Sequence, residues 1–237
     1  VATERLSPAL KRLLDVRRAI GVRGSAHSVV KLLAPCAGSS LLVTSYTHPE
    51  FRDAMRRTAV YWMLAGVVFG TCAMSLIMVH GVAHLLDLGK SPSAAASFIA
   101  TVLGAGIVSN TIYAVVGDHI EPRYAFGAAL LLAGLGMVQM TNPDGGLGLW
   151  SVAALLGLGF ALPVRCLTTM FINYFGRASF SRFMGIVMFG MAAGPAVTVV
   201  AAGAVFDQFR SYSPMIYFFA TACLFLACVL PFVRPPG

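Results

Sequence analysis

One arginine lies within an apolar stretch and is the side chain best suited to bind an anion. Arg165 follows Pro163 in the segment Gly148–Ile172, and it is the only Asp, Glu, Lys or Arg inside six such segments. A charge inside a membrane span costs at least about 2.5 kcal/mol on insertion scales, so it usually faces the protein interior or a water-filled cavity. A guanidinium can hold a carboxylate or phosphate through two parallel hydrogen bonds. Arg165 is therefore a candidate solute-binding or gating residue; structural pairing and snorkelling to the membrane surface are the alternatives.

Two polar side chains of another apolar segment could line a cavity. Asn110 and Tyr113 are three residues apart, and residues at that spacing lie on one face of a helix. Their amide and hydroxyl groups can hydrogen-bond a solute or bridge to a neighbouring helix. We predict both as solute-binding residues, with interhelical bonding as the alternative.

Ionisable residues also occur near the ends of the apolar segments. His80, His84 and Asp87 follow a helical spacing that metal sites and proton relays also use. Because they fall at the membrane boundary, a gating or solvated role is favoured, and we predict neither a metal site nor a cofactor. Asp118 and Arg123 flank a short turn at the opposite boundary. An ion pair between them would act as a latch that breaks during a conformational change, with a simple loop ion pair as the alternative.

The elements that must position these residues are membrane-spanning helices. The chain is 58% hydrophobic and 11% charged, with a mean hydropathy of +0.80. Six segments have about the 20 residues that a helix needs to cross a bilayer core. Lipid offers backbone groups no hydrogen-bond partners, so each segment must be helical. We predict an all-α membrane protein with six transmembrane helices, at Thr58–His80, Ser93–Val116, Tyr124–Thr141, Gly148–Ile172, Phe183–Val205 and Pro214–Val233.

The distribution of charge predicts the orientation of these helices. Ten of the 17 Lys and Arg residues precede the first span, and this leader carries +6 of the formal charge of +8. Lys and Arg concentrate on the cytoplasmic side of membrane proteins, and two cytoplasmic termini leave only Lys90 and Arg210 outside. We predict a basic cytoplasmic leader or linker at residues 1–57, a transmembrane domain at residues 58–237, and the inner membrane as the location. The same rule explains the basic leader without nucleic acid, which we exclude as a partner.

Small residues and prolines predict how the helices pack. Small side chains let helix backbones approach closely in a membrane. Pro163 and Pro195 lack a backbone donor, so we expect them to bend the fourth and fifth helices. The predicted close-approach surfaces are two GxxxG pairs and further small residues: Gly66/Gly70, Gly190/Gly194, Ala96, Ala100, Gly104, Gly157 and Gly159.

Cysteine and enzyme motifs give no support for catalysis. The five cysteines have no CxxC spacing, and four of them fall within spans, where they act as small packing residues. No Ser/His pair, paired aspartates or HExxH motif occurs within a span. We predict a protein that is not an enzyme.

Four stretches at the helix boundaries resemble the carboxy-terminal half of major facilitator superfamily transporters, in the branch of monocarboxylate porters and oxalate/formate-type antiporters. His80–Pro92 resembles the first extracellular loop of that half, and Gly117–Arg123 resembles its acidic-then-basic cytoplasmic turn. Tyr174–Gly185 is similar to the turn between its fourth and fifth helices. Gly194–Tyr212 is similar to its glycine-proline helix and acidic exit loop. The resemblance covers about residues 49–236.

The resemblance implies a twelve-helix carrier in which this chain supplies one half. A small, anionic organic solute would bind at midplane and be exposed to each side in turn, with a proton or counter-ion as the coupling partner. Gating would involve Asp118 and Arg123 on the cytoplasmic side, and His80 and Asp207 on the outer side. The protein partner would be the missing amino-terminal half or a second copy of the chain. The alternative is a truncated, non-transporting membrane protein that assembles with or regulates a partner.

The charge distribution leads to a topological prediction. In a background whose native cysteines are replaced by alanine, a cysteine at Asp144 should react with an impermeant maleimide added outside, because the Asn142–Gly146 turn is expected to be external. A cysteine at Arg177 should react only after permeabilisation. Labelling of intact and permeabilised cells measures both, and the reverse pattern would rule out the six-span topology.

Overall fold

The chain folds into consecutive helices. The computed structural model describes residues 58–143, 148–177 and 180–233. The predicted leader at residues 1–57 therefore lies outside the described residues, as does most of the predicted external turn. Short 3-10 helices follow the second and the last α-helix, at Gly117–His119 and Leu230–Phe232. The α-helices of the described ranges are α1 (Thr58–Asp87), α2 (Pro92–Val116), α3 (Pro122–Met140), α4 (Leu149–Ala161), α5 (Pro163–Phe175), α6 (Phe180–Phe209) and α7 (Ser213–Val229).

Six helical segments of the described ranges are long and apolar enough to cross a membrane, which confirms the predicted all-α membrane fold. The first and fifth are longer than predicted, since they continue to Asp87 and Phe209. His84 and Asp207 consequently lie within helices, although the sequence around them resembled loops. We number the segments spans 1 to 6: Ala59–Asp87, Pro92–His119, Pro122–Met140, Leu149–Phe175, Phe180–Phe209 and Ser213–Phe232.

Proline divides span 4 but not span 5. Helix α4 ends at Ala161, and α5 begins at Pro163 in the first helical position, where a missing N–H costs nothing. Pro163 cannot donate to the Gly159 carbonyl one turn earlier, so the fourth crossing consists of two helices. The bend expected at Pro163 takes the form of a break between two helices. Helix α6, in contrast, continues through Pro195.

The packing of the spans repeats after every third span. Span 2 packs on span 4, and span 5 packs in the same way on span 1. Span 3 packs on span 4 just as span 6 packs on span 1, while spans 3 and 6 pack on each other. Each triplet contains an odd number of crossings, so the two triplets run through the membrane in opposite directions. This is the arrangement of an inverted repeat, which many transporter folds contain.

Small residues permit the closest helix contacts. A Cβ atom on Gly157 of α4 would overlap the carbonyl oxygen of Val102 in α2. The GxxxG pair Gly190/Gly194 packs on the side chains of Val68 and Cys72 in α1, which confirms the predicted close approach. The prediction for Ala96, Ala100 and Gly104 is wrong within this chain, because these three residues are exposed on span 2.

Spans 2 and 5 are much less covered than the others. Only 11% of the most apolar part of span 2 and 17% of that of span 5 is buried, against 39% to 50% in the other four spans. Ile107 of span 2 and Phe189 of span 5 are 69% and 74% exposed. These two spans are related by the repeat of three, so the exposed faces occupy equivalent positions in the two triplets.

The glycine contacts predict contrasting effects of the same substitution. Gly157→Ala should destabilise the protein by about 1–3 kcal/mol, since the new methyl group forces the α2 and α4 backbones apart. The matched control is Gly104→Ala, whose methyl group would meet nothing within 4 Å. This control should be neutral or stabilising by up to about 1 kcal/mol, because alanine favours the helix. Thermal unfolding in detergent, followed by circular dichroism, compares the variants, and equal stabilities would contradict the proposed contact.

Candidate functional site

A polar cavity opens between spans 2 and 4. Its volume is about 680 Å³, within the usual range of about 300–1,000 Å³ for ligand sites. Helix α2 and the start of α5 form its walls, and Asp118 lies at the end where span 2 terminates. We call this the Arg165 cavity. Its polar lining residues are Asn110, Tyr113, Asp118, Arg165, Thr168 and Thr169.

The structure brings together the residues predicted to bind a solute. Arg165 Nε donates a hydrogen bond to Asn110 Oδ1 at 2.5 Å. This contact aims the exposed guanidinium across the cavity. The terminal nitrogens Nη1 and Nη2 have no hydrogen-bond partner among the described residues. Asn110 therefore positions Arg165, and the outer edge of the guanidinium remains available to an anion.

Tyr113 lies between the same two helices. Its hydroxyl is close to the side chains of Cys166 and Thr169 but lacks hydrogen-bond geometry to any partner in the described ranges. The oxygen is buried, and a buried polar group without a partner costs about 1–3 kcal/mol. Such a group can recover that free energy by bonding to a solute.

Two further polar residues of the cavity were not predicted. Thr168 and Thr169 follow Arg165 by three and four residues and line the same cavity, as expected for one helix face. Their hydroxyls donate to the carbonyls of Val164 and Arg165. The helical spacing from Arg165 is the sequence signal that could have found them.

The predicted latch between Asp118 and Arg123 does not form in this structure. Arg123 Nη2 instead donates to Glu121 Oε2 at 2.9 Å, and Arg123 Nε lies 2.8 Å from Glu121 Oε1 without hydrogen-bond alignment. The guanidinium also lies over the Tyr124 ring, 4.8 Å from its centroid. Glu121 is nearer in sequence to Arg123 than Asp118 is, and this short connection favours the observed pair. Asp118 remains exposed at the mouth of the cavity.

His80 and Asp207 lie at the other end of the bundle, away from the cavity. His80 Nε2 is 3.1 Å from the carbonyl oxygen of Val199 in α6, which requires a proton on Nε2 if the two are hydrogen-bonded. The His80 ring also lies 4.9 Å from that of Tyr212. The Tyr212 ring lies 4.4 Å from that of Phe206 and 6.4 Å from that of His84, measured between ring centroids. These contacts join spans 1 and 5. Asp207 is exposed on the last turns of α6.

Tyr212 is the residue of this end that sequence reasoning missed. It is 8% exposed and lies in the connection between α6 and α7. Burial raises the pKa of its hydroxyl, and the negative charges of Asp87 and Asp207 raise this pKa further. Within the described ranges, no three His, Cys, Asp or Glu side chains lie close enough to hold a metal ion.

Comparison with known proteins adds no relative. No protein-family model matches the chain, and no curated protein sequence matches it significantly.

The tyrosine hydroxyls lead to a second pair of predictions. Tyr113→Phe should leave the stability unchanged or raise it by about 1 kcal/mol, because it removes a buried oxygen without a partner. The matched control is Tyr174→Phe, which loses a hydrogen bond of 3.2 Å to the Val233 carbonyl. This control should lower the stability by about 0.5–1.5 kcal/mol. Thermal unfolding in the same detergent measures both, and a clear loss in Tyr113→Phe would show that its hydroxyl is bonded.

Proposed function

We propose that this chain forms one six-helix half of a secondary carrier that resembles the major facilitator superfamily and transports a small anionic organic solute. Arg165 is the observation that carries the proposal. It is a charged residue in a membrane-spanning segment, it faces a cavity of about 680 Å³, and Asn110 holds it from one side only. A charged residue inside a membrane span that faces a cavity usually takes part in binding or translocation.

The broken helix beside Arg165 supports anion binding. Transporters often bind their solutes at discontinuous helices near the interface between inverted repeats. Arg165 is the third residue of α5, directly after the break at Leu162. The amino-terminal end of a helix carries a partial positive charge that favours anions. The helix end and the guanidinium therefore act on the same region of the cavity with the same sign.

The two ends of the bundle support a gating role for the predicted residues. Contacts of His80 join spans 1 and 5 at one end, while the Arg165 cavity opens near Asp118 at the other. Alternating access requires that such contacts break and form in turn. In the proposed carrier, His80 and Asp207 control the outer side, and Asp118 and Arg123 control the cytoplasmic side. We place the carrier in the inner membrane with both termini in the cytoplasm, as the charge distribution favours.

The exposed faces of spans 2 and 5 support assembly with a second six-helix unit. These are the two least buried spans of the described ranges, and a polar cavity open to lipid would leave Arg165 poorly solvated. The second unit is the amino-terminal half or another copy of the chain. The same faces would also serve a non-transporting protein that regulates a partner, which is the second candidate function.

Substitutions at Arg165 distinguish the two functions. Arg165→Ala should lower anion uptake at least about a hundredfold, because it removes two hydrogen bonds to a charged group worth about 1.5–3 kcal/mol each. Arg165→Lys should lower uptake about tenfold, since the charge remains but the bidentate geometry is lost. Uptake of labelled carboxylates and phosphate is measured in vesicles that contain the chain alone or with a six-helix partner half.

The matched control is Arg210→Gln, which removes a cation from the connection between spans 5 and 6 and should leave uptake unchanged. Membrane levels of each variant are measured by immunoblotting. Wild-type uptake by Arg165→Ala would leave Arg165 with a structural role. Absence of uptake in both kinds of vesicle would favour the regulatory function.

A further inference from the structure

We propose that His84 is a proton-binding site, and that proton uptake there opens the end of the bundle that His80 and Tyr212 close. The ligand is the proton, and the element that responds is the contact between spans 1 and 5. The inference goes beyond the proposed function and is independent of the solute of the Arg165 cavity, because its test measures neither binding nor uptake of a solute.

His84 is a buried side chain whose ring is hydrogen-bonded on one side only. It is 3% exposed, so it is not solvated, which was one of the two roles that its sequence position favoured. Met140 is the last residue of α3, so its carbonyl oxygen has no helical partner and accepts a hydrogen bond from the His84 ring. Nε2 of the ring has no hydrogen-bond partner among the described residues. The bond to Met140 therefore uses Nδ1, and Nε2 is the nitrogen that lacks a proton in the neutral ring.

The surroundings of His84 offer its Nε2 atom neither a protein acceptor nor water. The gap beside the ring has no room for a water molecule, and the Tyr212 ring stands at 85° to the His84 ring. A proton on Nε2 would place a positive charge, with an N–H group that has no acceptor, in a dry environment. Because such a group is far more costly to bury than a neutral ring, the closed arrangement requires neutral His84. The other residues that line the gap are Leu76, Ile77, His80, Gly81 and Ile216.

No charged group of the described residues at this end lines the gap. These groups are Asp87, Lys90, Asp207 and Arg210. Asp144, in the connection between α3 and α4, lies outside the described residues. Asp87 follows His84 by three residues, is exposed, and interacts with the His84 ring electrostatically. Its carboxylate is therefore the acceptor that a charged His84 can reach once water enters the gap.

Tyr212 couples the protonation of His84 to the contact between spans 1 and 5. Its ring forms one wall of the gap beside His84, and it also contacts the rings of His80 and Phe206. A displacement of Tyr212 gives Nε2 of His84 access to water and separates the aromatic rings of span 5 from His80. The proton of the His80 contact is different, because Nε2 of His80 carries a proton in both charge states if it donates to the Val199 carbonyl. Protonation of His80 therefore does not by itself break the contact.

The direction of the pH dependence follows from the number of protons bound. The closed end binds fewer protons at His84 than the open end does, so a lower pH favours the open end. For one proton and an ordinary histidine pKa of about 6.5 in the open end, the ratio of open to closed molecules rises at most about tenfold per pH unit.

The test uses the full chain in lipid nanodiscs, which expose both membrane faces to the buffer. Nitroxide labels are attached to cysteines at Leu88 and Gln208, two exposed positions at the ends of α1 and α6, in a background whose native cysteines are replaced by alanine. Pulsed electron paramagnetic resonance measures the distance between the labels. Between pH 7.5 and pH 5.5, the ratio of long to short distances should rise by up to about tenfold.

Substitutions identify the residue that takes up the proton. His84→Phe and His84→Gln should both keep the short distance at pH 5.5, because neither side chain binds a proton, and the distance at pH 7.5 shows whether each variant folds as the wild type does. The matched control is His80→Gln, which removes the neighbouring histidine while its amide can still donate to the Val199 carbonyl. This control should respond to pH as the wild type does. Asp87→Asn should shift the response to lower pH, because the charged ring loses the carboxylate that stabilises it after opening.

A second measurement needs no substitution. Nuclear magnetic resonance of the chain labelled with 15N-histidine should show, at pH 7.5, a neutral ring with its proton on Nδ1, and this signal should be absent in His84→Gln. Three results would overturn the inference: an unchanged distance in the wild type between pH 7.5 and pH 5.5, a pH response that persists in both His84 variants, and a His84 ring that is already charged at pH 7.5. The uptake experiment decides the proposed function separately, since Arg165 takes no part in these measurements.

Discussion

The need to satisfy backbone hydrogen bonds without water governs this structure. In the hydrocarbon core an unpaired N–H or C=O group has no solvent partner, so every crossing is helical. The break in span 4 is the exception within the described part of the chain. It occurs where Pro163 removes a donor, and it lies beside the Arg165 cavity. A membrane protein tolerates a helix break where the break lines a cavity. A charged side chain can be solvated in the same place.

Helix association in a membrane depends on shape, because lipid chains are as apolar as the helices. Among the glycines of the described ranges, Gly157 approaches another helix most closely, against the backbone of α2. This contact holds α2 and α4 together on one side of the helix break, and beyond the break the Arg165 cavity lies between α2 and α5. The glycine and the proline of span 4 thus have complementary effects, since Gly157 closes the seam with α2 and Pro163 ends α4 beyond that contact.

The repeat of three spans relates the two exposed spans to each other. Spans 2 and 5 are equivalent in the repeat and are both largely uncovered. Spans 3 and 6 are also equivalent, and they pack on each other. An isolated six-helix bundle gains no packing free energy from faces that only lipid covers. The exposed faces of spans 2 and 5 are therefore consistent with a second unit that packs on them. The exposed alanines and Gly104 of span 2, for which close helix packing was predicted, lie on such a face.

The sequence by itself determined the helices and the residues that share a face. Apolar length predicted six spans, and Pro163 predicted a bend in the fourth, where the structure has a break. These features depend on local geometry and on solvation by lipid, both of which are encoded within a few turns of chain. The sequence also singled out Arg165 and Asn110 separately, by residue type and position.

Only the tertiary structure decided which of these residues meet. Arg165 and Asn110 are 55 residues apart, and their contact requires that span 4 pack on span 2. Tyr212 joins the His80 end for the same reason, through spans 1 and 5. The pairing of Arg123 with Glu121 instead of Asp118 depends on the turn after Gly117–His119. The apolar periodicity of a sequence specifies that a helix packs. Its partner helix is selected by the fit of small residues and by competition among neighbouring helices. Both effects exist only in the assembled bundle.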